Sequence, residues 1–180
     1  MEDKSSCNIE VLCQYESWND VLASLNSIAA DACVAVLGHV DLAKYVDILE
    51  ISVLFTDDSV IQDLNARFRN KDKATNVLSF PSFDINPDDF SGLKNYTEEG
   101  ESLILGDMIL AYETVVMEAK EQNKTLENHV KHLIVHSVLH LLGYDHIDDE
   151  DAKEMEEKEI EILAQMGIEN PYLLIEDEVS

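Results

Sequence analysis

The run from Leu133 to Leu142, Leu-Ile-Val-His-Ser-Val-Leu-His-Leu-Leu, leaves this chain few ways to fold. It is apolar on every side of a helix, so the helix it forms is buried. Yet it carries His136 and His140, and buried imidazoles lose their water and need partners. Residues four apart on a helix share one face, with Cβ atoms about 6 Å apart, so these two side chains can hold one ion. His132 lies eight residues from His140, roughly 12 Å along the axis. That is too far for a shared ion when zinc–nitrogen bonds are ~2.0–2.1 Å. His146 is the better third ligand. Gly143 can take the left-handed conformation that ends a helix, and three more residues return His146 over the His136/His140 face. Three neutral imidazoles leave a fourth tetrahedral position open, as catalytic rather than structural zinc sites do. A water there has its pKa lowered toward ~7 and becomes a nucleophile at neutral pH. His129 and His132 read as structural or supporting groups.

Two further features bear on the chemistry. The protease motif H-E-x-x-H places a general-base Glu after the first histidine. Here that position is Ser137, which disfavours peptide hydrolysis by that route. Arg67, Arg69, Lys71 and Lys73 put four of the chain's twelve Lys and Arg residues within seven positions, against one acid, Asp72. Such an island can bind phosphate, since Arg offers planar bidentate donors and cations stabilise charge developing in phosphoryl transfer. It can equally be a solubilising helix end, where cations suit the macrodipole.

The formal net charge of −26 over 180 residues argues against nucleic-acid binding through a generally basic coat. Cys7, Cys13 and Cys33 lack the paired spacing of a thiolate zinc site and read as reduced thiols. The amino-terminal Met-Glu-Asp-Lys-Ser-Ser has no basic region leading into an apolar run, and no stretch nears the ~20 apolar residues of a membrane helix. A cytoplasmic protein is expected.

Hydrophobic periodicity predicts strands over 8–15, 47–56, 75–80 and 103–111, the last interrupted by Gly106. It predicts helices over 17–38, stopped by Gly38, and from the Asp57-Asp58-Ser59 caps to Phe68. Further helices are expected over 113–122, 126–142 and 148–166. Residues 82–102 are polar and long for a loop, which suggests a mobile flap. The order β-α-β-α-β-β-α-α-α implies an α+β fold in one domain spanning 1–180.

Three blocks together resemble the YbeY family, bacterial single-strand endoribonucleases also described as rRNA maturation factors. They are Phe68-Arg-Asn-Lys-Asp-Lys-Ala-Thr-Asn-Val-Leu-Ser-Phe-Pro81, Leu105-Gly-Asp-Met-Ile109, and His136 to His146. The resemblance is strongest over 45–172. It implies a mixed, about four-stranded sheet with packed helices and a metal in a cleft. It implies one Zn2+ on His136, His140 and His146, and Arg69 at the scissile phosphate or its neighbour. The implied reaction is hydrolysis of an RNA phosphodiester. The implied task is 16S rRNA 3′-end maturation and ribosome quality control, with the small ribosomal subunit and its proteins as partners. Asn70, Ala74 and Ser137 stand where Gly, Pro and Gly are expected. Asn tolerates the left-handed conformation better than most residues, Ala74 loosens a turn, and Ser137 adds a hydroxyl close to the metal.

On this reading Lys71 and Lys73 steer the RNA. Asp107 and Asp145 are candidates for orienting a histidine or moving a proton, or else are cap or turn residues. The acidic run from Asp145 to Glu161 is a solvated helix face or a dock for a basic ribosomal protein. The competing readings are a non-catalytic ribosome-assembly factor with structural zinc and a metal hydrolase of another substrate.

Overall fold

Strictly alternating burial along residues 48–55 marks the strand around which the computed structural model is built. The structure describes residues 6–173. The amino terminus read for a secretory signal and the acidic end of the chain lie outside the described residues.

Four strands form one sheet in the order β1-β2-β4-β3. They are β1 (Ser6–Cys13), β2 (Ile48–Thr56), β3 (Val77–Pro81) and β4 (Ser102–Ala111). β1 and β4 flank β2 in parallel, and β3 pairs antiparallel with the far edge of β4. The helices are α1 (Ser17–Val21), α2 (Leu25–Leu37), α3 (Asp58–Arg69), α4 (Tyr112–Glu121), α5 (Leu126–Leu141) and α6 (Asp149–Gln165). The α+β expectation is met. α2 and α5 pack together, with α2 against β1, α5 against β3 and β4, and α6 against α5. Ile51, Val53, Phe55, Met108, Leu110, Val138 and Leu139 are buried in the large core this makes. Ile61 of α3 meets Leu78, Ile109 and Ala111 in a smaller cluster. No helix among the described residues is long and apolar enough to cross a membrane.

The helix expected over 17–38 is two helices. Leu22 is extended, and the Ser24 side chain accepts from the Ser27 amide to start α2 afresh. The break lets Trp18 sit fully buried and donate its Nε1–H to Thr56 O at 2.9 Å while Leu25 and Ile28 still face the core. Gly38 ends α2 as expected, in a right-handed conformation. Asp57 caps α3 by accepting from the Val60 amide at 3.0 Å. Asn70 closes it in the left-handed region at φ 56° and ψ 32°, which asparagine tolerates better than most residues other than glycine.

Two irregular stretches set how α5 meets the sheet and the loop above it. Glu50 pairs with Ile104 and Ile51 with Gly106, so Leu105 is an extra residue, a β-bulge. A Cβ on Gly106 would lie 2.5 Å from Phe80 O and 2.7 Å from a Leu141 methyl, so its absence lets α5 close onto the β3–β4 pair. The other is the segment expected as a flap. It is packed: Ser82 extends the strand pairing to Leu105 O at 3.0 Å, and Ile85 and Leu93 are buried. Phe83 stacks on Tyr96, and a turn of 3-10 helix forms over Phe90–Asn95. Gly143 lies directly beneath, at φ 97°, where a Cβ would fall 2.0 Å from Ile85 O.

Gly143→Ala therefore meets both a strained dihedral and a backbone clash. It should cost at least about 2 kcal/mol and lower the thermal midpoint by roughly 5 °C or more for a domain this size. Calorimetry of the variant beside the parent checks this.

Candidate metal centre

Thr125 starts α5 by accepting from the Asn128 amide, and the apolar positions of the helix from Val130 on are buried. His136 and His140 leave one face with their Nε2 atoms 3.0 Å apart. Past Gly143 the chain folds back, Tyr144 N–H reaching Leu139 O at 3.0 Å, and delivers an exposed His146. Its ring centroid lies 5.0 Å from that of His140 and 5.8 Å from that of His136. One ring nitrogen from each of the three histidines falls within 4.8 Å of the others, so together they could hold one ion.

What stands behind the rings decides which nitrogens face the ion. His140 Nδ1 lies 3.0 Å from Tyr144 O, a carbonyl that can only accept, so Nδ1 carries the hydrogen. Burial first, then the neighbouring His136 and His146, hold the His140 pKa down to about 4, so its Nε2 is an unprotonated lone pair at neutral pH. His136 Nδ1 donates to the Glu159 carboxylate. Burial alone would raise Glu159, but its contacts with His132 and His136 overrule burial and hold it at about 2, ionised. The Nε2 atoms of His136 and His140 thus point at each other across the site. Their separation is close to the about 3.3 Å that two ligands of a tetrahedral ion with ~2.0–2.1 Å bonds would show. The donor set fits a divalent cation.

Glu159 carries no signature of its own in the sequence beyond its phase. Met155, Ile162 and Leu163 mark the buried stripe of α6, and Glu159 falls within it, fully enclosed, in a helix whose other acids are mostly exposed. It also accepts from the Tyr172 hydroxyl, and His132 Nε2 lies 3.8 Å away. His132 is thus a supporting group. His129 belongs to a neighbouring cluster, 3.2 Å from Glu118, which in turn accepts from the Asn76 side-chain Nδ2 at 2.9 Å.

The histidines line a cleft of about 570 Å3 that also takes in Arg69, Lys71, Lys73, Asn76 and Asp145. Arg69 is exposed at the end of α3, donates from Nη2 to Ser79 O at 2.9 Å, and stands 5.9 Å from the Phe80 ring. The buried Asn65 donates to Lys73 O at 2.9 Å and folds the basic loop back over the helix end. Arg67 lies outside the cleft and pairs with Asp63 at 2.7 Å. Asp145 sits beside His146 and accepts from its amide at 2.7 Å, in part a turn residue. Asp107 is not brought to the histidines. Counting in alternation from Leu103 and Leu105 turns it toward α5, but the bulge reverses the phase. Asp107 is exposed on the opposite face, lining an apolar hollow with Leu54, Phe68 and Ile109.

The model of the family described as Endoribonuclease YbeY matches residues 13–167. The chain belongs to the YbeY family. Among curated YbeY members, one from Paramagnetospirillum magneticum is 44% identical over 156 residues, covering 87% of this chain and 90% of the relative. Another, from Bartonella henselae, is 42% identical over 164 residues, covering 91% and 96%. Both are named endoribonucleases. A solution structure from Thermotoga maritima shares the fold at a TM-score of 0.53 and 24% identity, covering 88% of this chain and 91% of that one. The family match takes in β2 through α6 and, at the amino-terminal side, α1 and α2.

In this YbeY member Glu159→Gln keeps the volume but loses the charge behind His136, and divalent-ion affinity should drop about 10- to 100-fold, read by chelator competition. For His140 the folded pKa of about 4 lies below the ordinary ~6.5. Between those values the unfolded chain binds a proton that the folded one refuses, so stability falls as pH falls from 6.5 to 4. Glu159 adds a loss of the same sign below about pH 4.3. In chelator, the parent should lose more thermal stability than His140→Gln between pH 7 and 5. Comparing the two cancels the general relief of repulsion in a chain of net charge −26.

Proposed function

We propose that this chain is a zinc-dependent endoribonuclease that hydrolyses phosphodiesters of single-stranded RNA. The observation that carries the reading is one cleft lined both by three convergent imidazoles and by Arg69, Lys71 and Lys73. In a chain so acidic, this is where a polyanion can lie.

Nε2 of His136, Nε2 of His140 and the ring of His146 would hold the zinc ion, which when bound supplies Lewis acidity toward water and a phosphate oxygen. The protein's own residues do the rest. Glu159 and Tyr144 O fix the imidazole tautomers. Arg69, already tied by one nitrogen to Ser79 O, has donors left over for a non-bridging oxygen of the scissile phosphate, where charge develops. Lys71 and Lys73 draw the strand along the cleft. The Asp145 carboxylate, exposed at the cleft beside His146, is the candidate for moving the proton. Ser137 in place of a general-base Glu favours a phosphodiester over a peptide. The family resemblance extends the reading to 3′-end maturation of 16S rRNA and ribosome quality control in the cytoplasm, with the small ribosomal subunit and its proteins as partners.

Cleavage of a labelled single-stranded RNA by purified protein should vanish in chelator and return with zinc. Arg69→Ala should lose about 10²- to 10³-fold in kcat while retaining stoichiometric zinc, and His136→Ala should lose both activity and zinc. Chelator-insensitive cleavage, or none from zinc-loaded protein, defeats the proposal. Three cations in contact with phosphates predict a slope of log affinity against log salt near −2, from about −0.7 per contact on a single strand.

A further inference from the structure

Ser137 does more than stand where a general base is missing. Its side chain is fully buried on α5, between His136 and the turn bearing His140. A serine inside a helix commonly bonds the carbonyl one turn back. This one instead reaches across to the sheet, where its Oγ lies 2.6 Å from the Oγ of Ser79, itself 8% exposed. The main-chain oxygen of the same Ser79 is the acceptor for Arg69 Nη2 at 2.9 Å. The next residue, Phe80, presents the ring beside the guanidinium.

β3 is the terminal strand of the sheet, five residues long and paired within it only to β4. α5 meets the β3–β4 pair at points one turn apart on the helix: Leu141 packs where Gly106 of β4 has no Cβ, and Ser137 bonds Ser79 of β3. We propose that Ser137 is a positioning residue for Arg69. It locks β3 to the helix that carries two of the three imidazoles, and so fixes the distance between the guanidinium and the metal centre. Removing its hydroxyl leaves Ser79 Oγ buried without its partner, and the strand must shift to rehydrate it, taking the Arg69 acceptor with it.

The inference rests on the reading that Arg69 grips phosphate. Its test is affinity for a fluorescent single-stranded oligoribonucleotide, fully 2′-O-methylated to block cleavage, measured in chelator. Arg69→Ala should weaken binding about ten-fold, the worth of a lost charge-assisted contact. Ser137→Ala and Ser79→Ala, which cut the same bond from opposite ends, should each weaken it about five-fold, the worth of one neutral hydrogen bond. Arg69→Ala/Ser137→Ala should bind no more weakly than Arg69→Ala alone. A further five-fold loss in the Arg69→Ala background would make Ser137 merely structural and overturn the proposal. So would full affinity in Ser137→Ala while Arg69→Ala is weakened. Zinc affinity by chelator competition should stay within two-fold in Ser79→Ala and Ser137→Ala, and a larger fall in both would route the effect through His136 and overturn it too. Full affinity in Arg69→Ala removes the phosphate-gripping reading itself.

Discussion

An imidazole buried on a helix binds a metal only if something behind it holds the proton on the far nitrogen. Glu159 does this for His136 and the Tyr144 carbonyl does it for His140. Each acceptor imposes a structural demand. The first requires α6 to lie along α5 with a carboxylate in its apolar stripe, a placement costly for a charge without partners. Glu159 meets that cost by gathering His136, His132 and Tyr172 around it. The second requires the chain to reverse tightly after α5, which only a residue without a side chain can do beneath Ile85. The docking of α6, the turn at Gly143 and the packing of the 82–101 segment are consequences of orienting two rings.

On the proposed reading, the opposite problem, attracting a polyanion to a strongly acidic molecule, is met by concentration rather than by balance. The basic loop is folded back on its own helix by Asn65, so that Arg69, Lys71 and Lys73 look into the cleft, while Arg67 is neutralised by Asp63 outside it. Interactions beyond about 8 Å are largely screened at physiological salt. On the proposed reading, acids farther than that from a bound strand weigh less on it than Arg69, Lys71 and Lys73 in the cleft do.

Much of this was legible in the residues because local chemistry was decisive. The spacing of His136, His140 and His146 with a glycine between could be read directly, and so could the tolerance of Asn70 for the conformation it adopts. What escaped depended on three dimensions. Glu159 is one acid among many, and only its phase against Met155 and Ile162 separates it from its exposed neighbours. The helix over 17–38 is continuous in periodicity, but the Ser24 cap and the anchoring of Trp18 to Thr56 divide it. The 82–102 stretch looked like open loop because its few apolar residues, Ile85 and Leu93 among them, are widely spaced, yet those few suffice to pin it.

The bulge in β4 has a wider bearing. Because Leu105 is supernumerary in the ladder, the strand changes parity there: odd-numbered positions before it and even-numbered positions after it face the same way. A carboxylate two positions downstream is thereby exported to the other surface of the sheet. The letter at position 107 therefore does not by itself say which face of the sheet the side chain takes. Whether it can bear on the metal is decided by one inserted residue upstream, and a comparison of letters alone would equate side chains that stand on opposite sides of the molecule.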